Sequence, residues 1–426
     1  MRILLFGMGS RGDVEPMLAL GCRLRRDGYA VSLAAAADFR DLVVGRGLDF
    51  EPFSFDVQAG ATSDLGRRWL GGSSASQRRE AVLMRQVVRA IAEPLAEDLV
   101  RLVEDADAFV VSALTFEAME PLARRAGKPL VHVMFQPIWP TRYGPSATFA
   151  LRPARPSSLN LAWSWAAAFA AWDVFRSPGA VMRRRLGMPR ASFRAYVAAA
   201  RRTPTILAAS PHVVPPAADW GPATRQTGFW YADPDRAWTP PGELAAFLST
   251  RGAGRHRRDE DAPVYLGFGS MPTDQPERVV WTFLEALQRV GRRGVISAGW
   301  ARLHAADLPG TVLPVGEVPH SWLFPRMGAV VHHGGAGTTA AAFRAGVPQV
   351  VVPHIADQPF WGRRVQGLGV GPAPIHRKDL DVDRLVAALE VALAPGASSA
   401  AYDLGARIRS EDGVGDAAAL VASLLS

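Results

Sequence analysis

The sequence predicts an α/β protein built as two doubly wound halves, each around a parallel sheet. Short apolar strands alternate with helical segments along most of the 426 residues, the pattern of parallel sheets with helical crossovers. A strand–glycine–helix unit opens the chain and runs into "FGMGSRGDVEP" (Phe6 to Pro16); a second begins at "PVYLGFGSM" (Pro263 to Met271). Ahead of the second unit, "RGAGRHRRDEDAP" (Arg251 to Pro263) is charged and lacks apolar periodicity, as a solvated linker or surface loop does.

In the first half, strands are predicted near Arg2–Phe6, Ala30–Ala34, Phe109–Ser112 and Leu130–Met134, with helices near Met17–Arg26, Ala81–Val103 and Phe116–Arg125. Gly127 and Pro129 punctuate one return, as a helix end requires. In the second half, strands follow at Gly294–Ser297, Ala329–Val331 and Gln349–Val352. Leu404, Ile408, Val414, Leu420 and Leu424 keep helical spacing across Gly413 and Gly415, which predicts a bent or paired terminal helix. The expected organisation is a first domain over 1–215, an interdomain stretch over 216–262, a second domain over 263–400, and a helix over 401–426 that packs back on the first. Open α/β sheets take ligands at the carboxyl ends of their strands, so the site is expected in a cleft that the two domains face.

Apolar residues make up 48% and charged residues 21%, with a net charge of +8 supplied almost wholly by arginine. The arginines are scattered, without the basic, aromatic-interleaved arm of a nucleic-acid binder, so the charge implies solubility and attraction for anions. The single cysteine, Cys22, excludes an internal disulfide and a cysteine-rich metal site; its helical surroundings predict a buried structural thiol. The first apolar run is too short for a signal-peptide core. "LAWSWAAAFAAW" (Leu161 to Trp172) is too short to span a bilayer and ends at Asp173. The chain therefore reads as cytoplasmic, with contact to a membrane surface through this tryptophan-rich stretch left open.

Gly7, Gly9 and Gly12 have dinucleotide-fingerprint spacing, but three details argue against a pyrophosphate there. Asp13 and Glu15 bring carboxylates to the helix start, where a phosphate needs positive potential. Pro16 suits a first helical position, so the helix is expected to begin after Gly12. No acid closes the second strand before Asp38. Asp13 reads as a functional carboxylate, or as a helix cap.

"VVHHGGAGTTAAAFRAGVPQVVVPHIADQPFWGRRV" (Val330 to Val365) is the most informative stretch. A strand runs into His332 and His333, then Gly334, Gly335 and Gly337, then Thr338, Thr339 and helix formers. Glycines let backbone N–H groups approach a ligand, the hydroxyls add donors, and a helix start without a carboxylate suits a diphosphate. After the buried strand Pro348 to Pro353, Asp357 and Gln358 mix acceptors and donors as a sugar ring requires.

With these motifs in view, the chain resembles the family 1 glycosyltransferases of the GT-B fold, two Rossmann-like doubly wound domains facing across a cleft. It is most similar to the group of sterol glucosyltransferases and actinobacterial natural-product glycosyltransferases. "GSRGDVEP" (Gly9 to Pro16), "GFGSM" (Gly267 to Met271), "HHGGAGTT" (His332 to Thr339) and "DQPFWG" (Asp357 to Gly362) occur in family order over nearly the whole chain. The resemblance implies that Asp13 is the general base toward the acceptor. It implies that Ser10, Arg11, Ser270, His332, Gly335, Ala336, Gly337, Thr338 and Thr339 bind the donor diphosphate, Ser10 and Arg11 lying near the phosphates or the acceptor. Trp300 and Val318 would meet the nucleobase, and Asp357 and Gln358 the donor sugar. The implied reaction is a single displacement with inversion, giving a β-glycoside from an α-linked donor.

No metal and no resident cofactor are expected: Asp105 and Asp107 precede a strand, at the wrong sheet edge for a metal pair. Many relatives place a Glu where Ala340 stands, to hold the ribose hydroxyls; UDP-glucose is the first choice of donor and a TDP-sugar the second. Phe53, Phe55, Phe135, Trp139 and Trp163 are candidates for contact with a flat hydrophobic acceptor, core packing being their other reading. A hydrolysing nucleotide-sugar epimerase of the same fold and a non-catalytic partner protein in a biosynthetic complex are the alternatives.

Overall fold

The computed structural model describes residues 1–55, 77–143, 156–233, 238–249, 261–269, 276–297 and 308–425. The chain divides into two compact units, Met1–Ala232 with Asp412–Ser426, and Asp233–Glu411.

In the first unit the strands are β1 (Arg2–Gly7), β2 (Ala30–Ala35), β3 (Asp49–Pro52), β4 (Ala108–Ser112), β5 (Leu130–Met134), β6 (Thr205–Leu207) and β7 (Thr224–Gln226). They pair in parallel in the order β3-β2-β1-β4-β5-β6-β7. The order reverses between β1 and β4, and such a switch point leaves a crevice at the carboxyl ends of those two strands. The helices are α1 (Arg11–Arg26), α2 (Arg40–Val44), α3 (Gln77–Val103), α4 (Ala113–Ala126), α5 (Ser158–Phe175), α6 (Ser177–Arg185) and α7 (Phe193–Arg202).

A parallel sheet is covered on both faces, so its strands read as continuous apolar runs. Leu4, Phe6, Phe109 and Val111 bury one face against Leu95 and Leu99 of α3, Phe116 and Met119 of α4, and Met182 of α6. Ile3, Leu5, Val110 and Val133 bury the other against Val14, Met17, Leu18 and Leu24 of α1, and against Ala417, Ala418 and Val421 of the terminal helix Gly413–Leu425. Cys22 is half-buried at the edge of this core, its thiol 4.0 Å from the Arg46 carbonyl.

The second unit runs α8 (Gly242–Ser249), β8 (Val264–Gly267), α9 (Pro276–Arg289), β9 (Gly294–Ser297), β10 (Val312–Val315), α10 (His320–Leu323), β11 (Ala329–His332), α11 (Ala336–Ala345), β12 (Gln349–Val351), α12 (Gln358–Gly367), α13 (Val382–Leu393) and α14 (Pro395–Arg409). Its parallel sheet has the order β10-β9-β8-β11-β12. The switch point lies between β8 and β11, whose carboxyl ends lead into the two glycine turns.

Several expectations change. The stretch 216–262 holds β7 and α8, so both units reach into it; residues 251–260 of the charged run lie outside the described residues. α1 begins at Arg11, ahead of the expected start, with Gly12 in its first turn and Pro16 inside it. Ser10 and Asp13 satisfy the early start, and the missing Pro16 N–H costs one bond, to the Gly12 carbonyl, close to the helix end. The terminal break falls at Ser410–Asp412, between α14 and α15 (the Gly413–Leu425 helix). Gly413 opens α15, where a Cβ would meet the carbonyl oxygens of Phe229 and Thr227 at 2.6 and 2.9 Å. Asp412 caps α15 through the Gly415 N–H at 3.0 Å and pairs with Arg23 of α1 at 3.2 Å.

Val421 is fully buried against the core that α1 shares. Val421→Asp would bury an uncompensated carboxylate there, for an expected loss of about 3–5 kcal/mol in urea denaturation. A wild-type midpoint would show that α15 contributes nothing to this unit's stability.

Candidate functional site

In the first unit the candidate group is Asp13, in the first turn of α1 just beyond the carboxyl end of β1. Its Oδ2 accepts the Ser10 backbone N–H at 2.8 Å and the Ser10 hydroxyl at 3.2 Å. Gly9 has φ 132°, and a Cβ on it would lie 2.3 Å from that same oxygen; the loop backbone passes so close that only glycine fits. The capping reading of Asp13 is therefore seen directly, and the same bonds orient its carboxylate. Ser10 is bound to Asp13, and exposed Arg11 pairs with Glu15 at 2.7 Å. The polar groups expected near donor phosphates thus serve α1's own carboxylates. Asp107, half of the D-x-D pair, accepts the Arg2 N–H at 2.7 Å, at the opposite edge of the sheet from Asp13.

In the second unit, the "HHGGAGTT" turn separates the two histidines. His332 ends β11 with no exposed surface. Its Nδ1 accepts the Gly334 N–H at 3.0 Å, so its Nε2 carries the proton and donates to Gln349 Oε1 at 2.9 Å. Burial, foremost, lowers its pKa to about 4. Both ring nitrogens of His332, the imidazole expected at a diphosphate, are engaged in holding the turn.

His333 is the imidazole that borders the glycine turns. It is half-buried; a Cβ on Gly335 would lie 2.5 Å from its Nε2, and one on Gly269 3.2 Å from its Cε1. Its Nδ1 is buried with no hydrogen-bond partner among the described residues. Burial, then the neighbouring His332, His354 and His320, lowers its pKa to about 3. Strand alternation separates the pair, since residues 332 and 333 must point to opposite sides.

α11 starts beyond these histidines with Gly335 as its N-cap, no side-chain cap and no acid in its first turn. The N–H groups of Ala336, Gly337 and Thr338 therefore have no partner within the helix, and Gly337 is exposed. The Thr339 hydroxyl is turned away: it is buried and donates to the Gly335 carbonyl at 2.9 Å. Ser270 and Trp300 lie outside the described residues. Val318 is half-buried against the core of this unit.

Beyond β12, the loop 354–357 contains Ala356 at φ 54°, the one non-glycine residue of positive φ among the described residues. Such strain persists only where neighbours enforce it. Gln358 does so: its buried Oε1 accepts the N–H groups of His354 at 2.7 Å and Ile355 at 3.0 Å. The carbonyl expected to meet a sugar is instead committed to the loop. Asp357 accepts the Trp361 Nε1–H at 2.7 Å, and burial pushes its carboxyl pKa up.

Of the expected acceptor contacts, Phe53 belongs to the first unit's core, with Phe55 stacked on it at 5.3 Å. Trp139 packs on the same core, Phe135 lies edge-on to Trp230 at 6.1 Å, and Trp163 is 51% exposed. The structure does not gather the five into one surface, because core packing takes most of their area.

Residues 3–120 match the glycosyltransferase family 28 N-terminal domain, and residues 282–413 the erythromycin biosynthesis protein CIII-like, C-terminal domain. The chain is 33% identical over 423 residues to sterol 3-beta-glucosyltransferase UGT80B1 of Arabidopsis thaliana, covering 97% of this chain and 66% of that one. Identity to UGT80A2 of the same plant is 34% over 425 residues, covering 98% and 64%. The chain thus spans just under two thirds of the length of these plant relatives. Among solved structures, the calicheamicin glycosyltransferase CalG4 aligns with a TM-score of 0.70 at 21% identity, over 100% of this chain and 98% of that one. The spinosyn rhamnosyltransferase SpnG complexed with thymidine diphosphate aligns at 0.65 and 19%, over 100% of both.

The buried imidazoles give the chain a pH signature. An unfolded histidine titrates near 6.5, whereas His332 and His333 in the fold titrate at about 4 and 3. The folded state binds fewer protons below that pH, so this stability is complete above about 6.5 and falls as pH drops toward 4. His332→Phe is expected to make the fall shallower in thermal melts. It should also cost about 1–3 kcal/mol at neutral pH, because the Gly334 N–H loses its partner. An unaltered pH profile would contradict a neutral, buried His332.

Proposed function

The chain belongs to the family 1 GT-B glycosyltransferases, and on that premise we propose that it moves a hexose from a nucleotide diphosphate sugar to a hydroxyl of a hydrophobic, sterol-like or natural-product acceptor. The donor is UDP-glucose or a TDP-sugar, the product is a β-glycoside formed with inversion, and the enzyme works in the cytoplasm without a resident cofactor or metal. Support for the acceptor class comes from the sterol glucosyltransferases above. Support for the donor class comes from the thymidine diphosphate in the spinosyn rhamnosyltransferase.

The observation that carries the reading is a contrast between two helix starts. α1 has a carboxylate, Asp13, at its N-terminus. α11 has none and offers Ala336, Gly337 and Thr338 N–H groups beside His333. The first start is fitted to hold a base and the second to hold an anion. In the proposed step, Asp13 takes the proton of the acceptor hydroxyl as its oxygen bonds to the anomeric carbon. The bond from that carbon to the diphosphate oxygen breaks with its electron pair. The departing charge is met by the α11 N–H groups and a hydrogen bond from His333. Asp357 and Gln358 contribute through the loop they shape, where the sugar hydroxyls would be read.

Two substitutions separate the roles. Asp13→Asn should lower turnover roughly 10²–10⁴-fold while UDP and TDP still stabilise the protein in thermal-shift assays. His333→Ala should weaken nucleotide binding roughly tenfold. Full turnover in Asp13→Asn would remove it as the base. Undiminished nucleotide binding in His333→Ala would move the diphosphate elsewhere.

A further inference from the structure

We propose that the outer face of α5 docks the first unit onto an anionic lipid bilayer. α5 is inside out. Its polar residues Asn160 and Ser164 are buried, 8% and 3% exposed, while Leu159, Trp163 and Phe169 are 71%, 51% and 51% exposed. With exposed Ala162, Ala166 and Ala170 they form a stripe at helical spacing. A surface helix ordinarily turns a polar face to water. α5 has one charged residue, Asp173, and Arg85 and Arg176 pair with it.

The surroundings are cationic. Between Asp173 and Asp219 the chain carries eight arginines and no Asp or Glu. Arg183, Arg184 and Arg185 are paired with Glu120, Glu93 and Glu97. Arg190, Arg194, Arg201 and Arg202 are exposed, with no ion pair among the described residues. α7, which bears the last three of these, packs beside α5: Phe193 meets Phe169 at 5.3 Å and Trp172 at 5.6 Å, and Arg201 lies 5.5 Å over Trp165. An apolar stripe with tryptophan, rimmed by arginine, matches the boundary between acyl chains and anionic headgroups. A second copy of the chain would set this rim against its own like charge. No single helix among the described residues is long and apolar enough to cross a bilayer, and the proposed contact is through the exposed face of α5 alone.

The test is co-sedimentation of the full chain with vesicles of phosphatidylcholine, with and without phosphatidylserine. Binding is expected to require phosphatidylserine and to weaken with added salt. Leu159→Ser with Ala166→Ser should weaken it roughly tenfold at an unchanged melting temperature. Arg194→Glu with Arg202→Glu should abolish the preference for phosphatidylserine. Failure of the wild type to bind, wild-type binding by the first double variant, or a dimer in size-exclusion chromatography that this variant breaks would each overturn the docking surface. Vesicle binding is read without turnover, so its failure leaves the transfer reaction untouched.

Discussion

The start of a helix is half-positive and carries N–H groups that nothing inside the helix can satisfy. Both units place such a start just beyond the carboxyl end of a strand at a switch point, and the two starts differ by a side chain. In the first unit, Asp13 folds back on Ser10 and fills the position with the protein's own anion. In the second, Gly335 caps without a side chain and leaves the position to something else. One turn geometry thus yields a helix start filled by its own carboxylate in one unit and a helix start without one in the other.

An open helix start is useful only if the loops around it do not collapse onto it. His332 spends both ring nitrogens inside, on the Gly334 N–H and the Gln349 carbonyl, and so fixes the turn before α11. Gln358 does the same for the loop after β12, where Ala356 is held at positive φ. Both groups are polar, buried and hydrogen-bonded, the combination that makes an interior network rigid. They act through geometry, holding the turn before α11 and the loop after β12 in place.

The two halves, their strands and the glycine turns were legible because apolar runs and glycine clusters report on backbone needs that few residues meet. β3, with Asp49 and Glu51, and β6, β7 and β10 were not, since strands of three or four residues carry little periodicity. The start of α1 differs from the expected one because Pro16 imitates a first-turn residue, although Ser10-x-x-Asp13 has the spacing of a capping box. The adjacent histidines marked the site, but their division of labour depends on Gln349, contributed by the neighbouring strand β12. Motif residues are legible as a group; which of them support and which face outward is a tertiary fact.

α5 shows the same limit from the other side. Its composition allowed both a core helix and a surface for an apolar partner. Burial decides between them: a core helix would have hidden Leu159, Trp163 and Phe169 before Asn160 and Ser164. Exposing three large apolar side chains forgoes roughly 1.5–3 kcal/mol for each that could have been buried, and folding into water alone offers no return for that loss. A hydrophobic acceptor partitions into bilayers and is scarce in water. An enzyme that collects such an acceptor where it is concentrated gains a local supply by resting there, and a cationic, tryptophan-bearing face is the physical means of doing so. The exposure of α5 and the acceptor class proposed for the enzyme therefore meet in a single requirement, contact with the interface that holds the substrate.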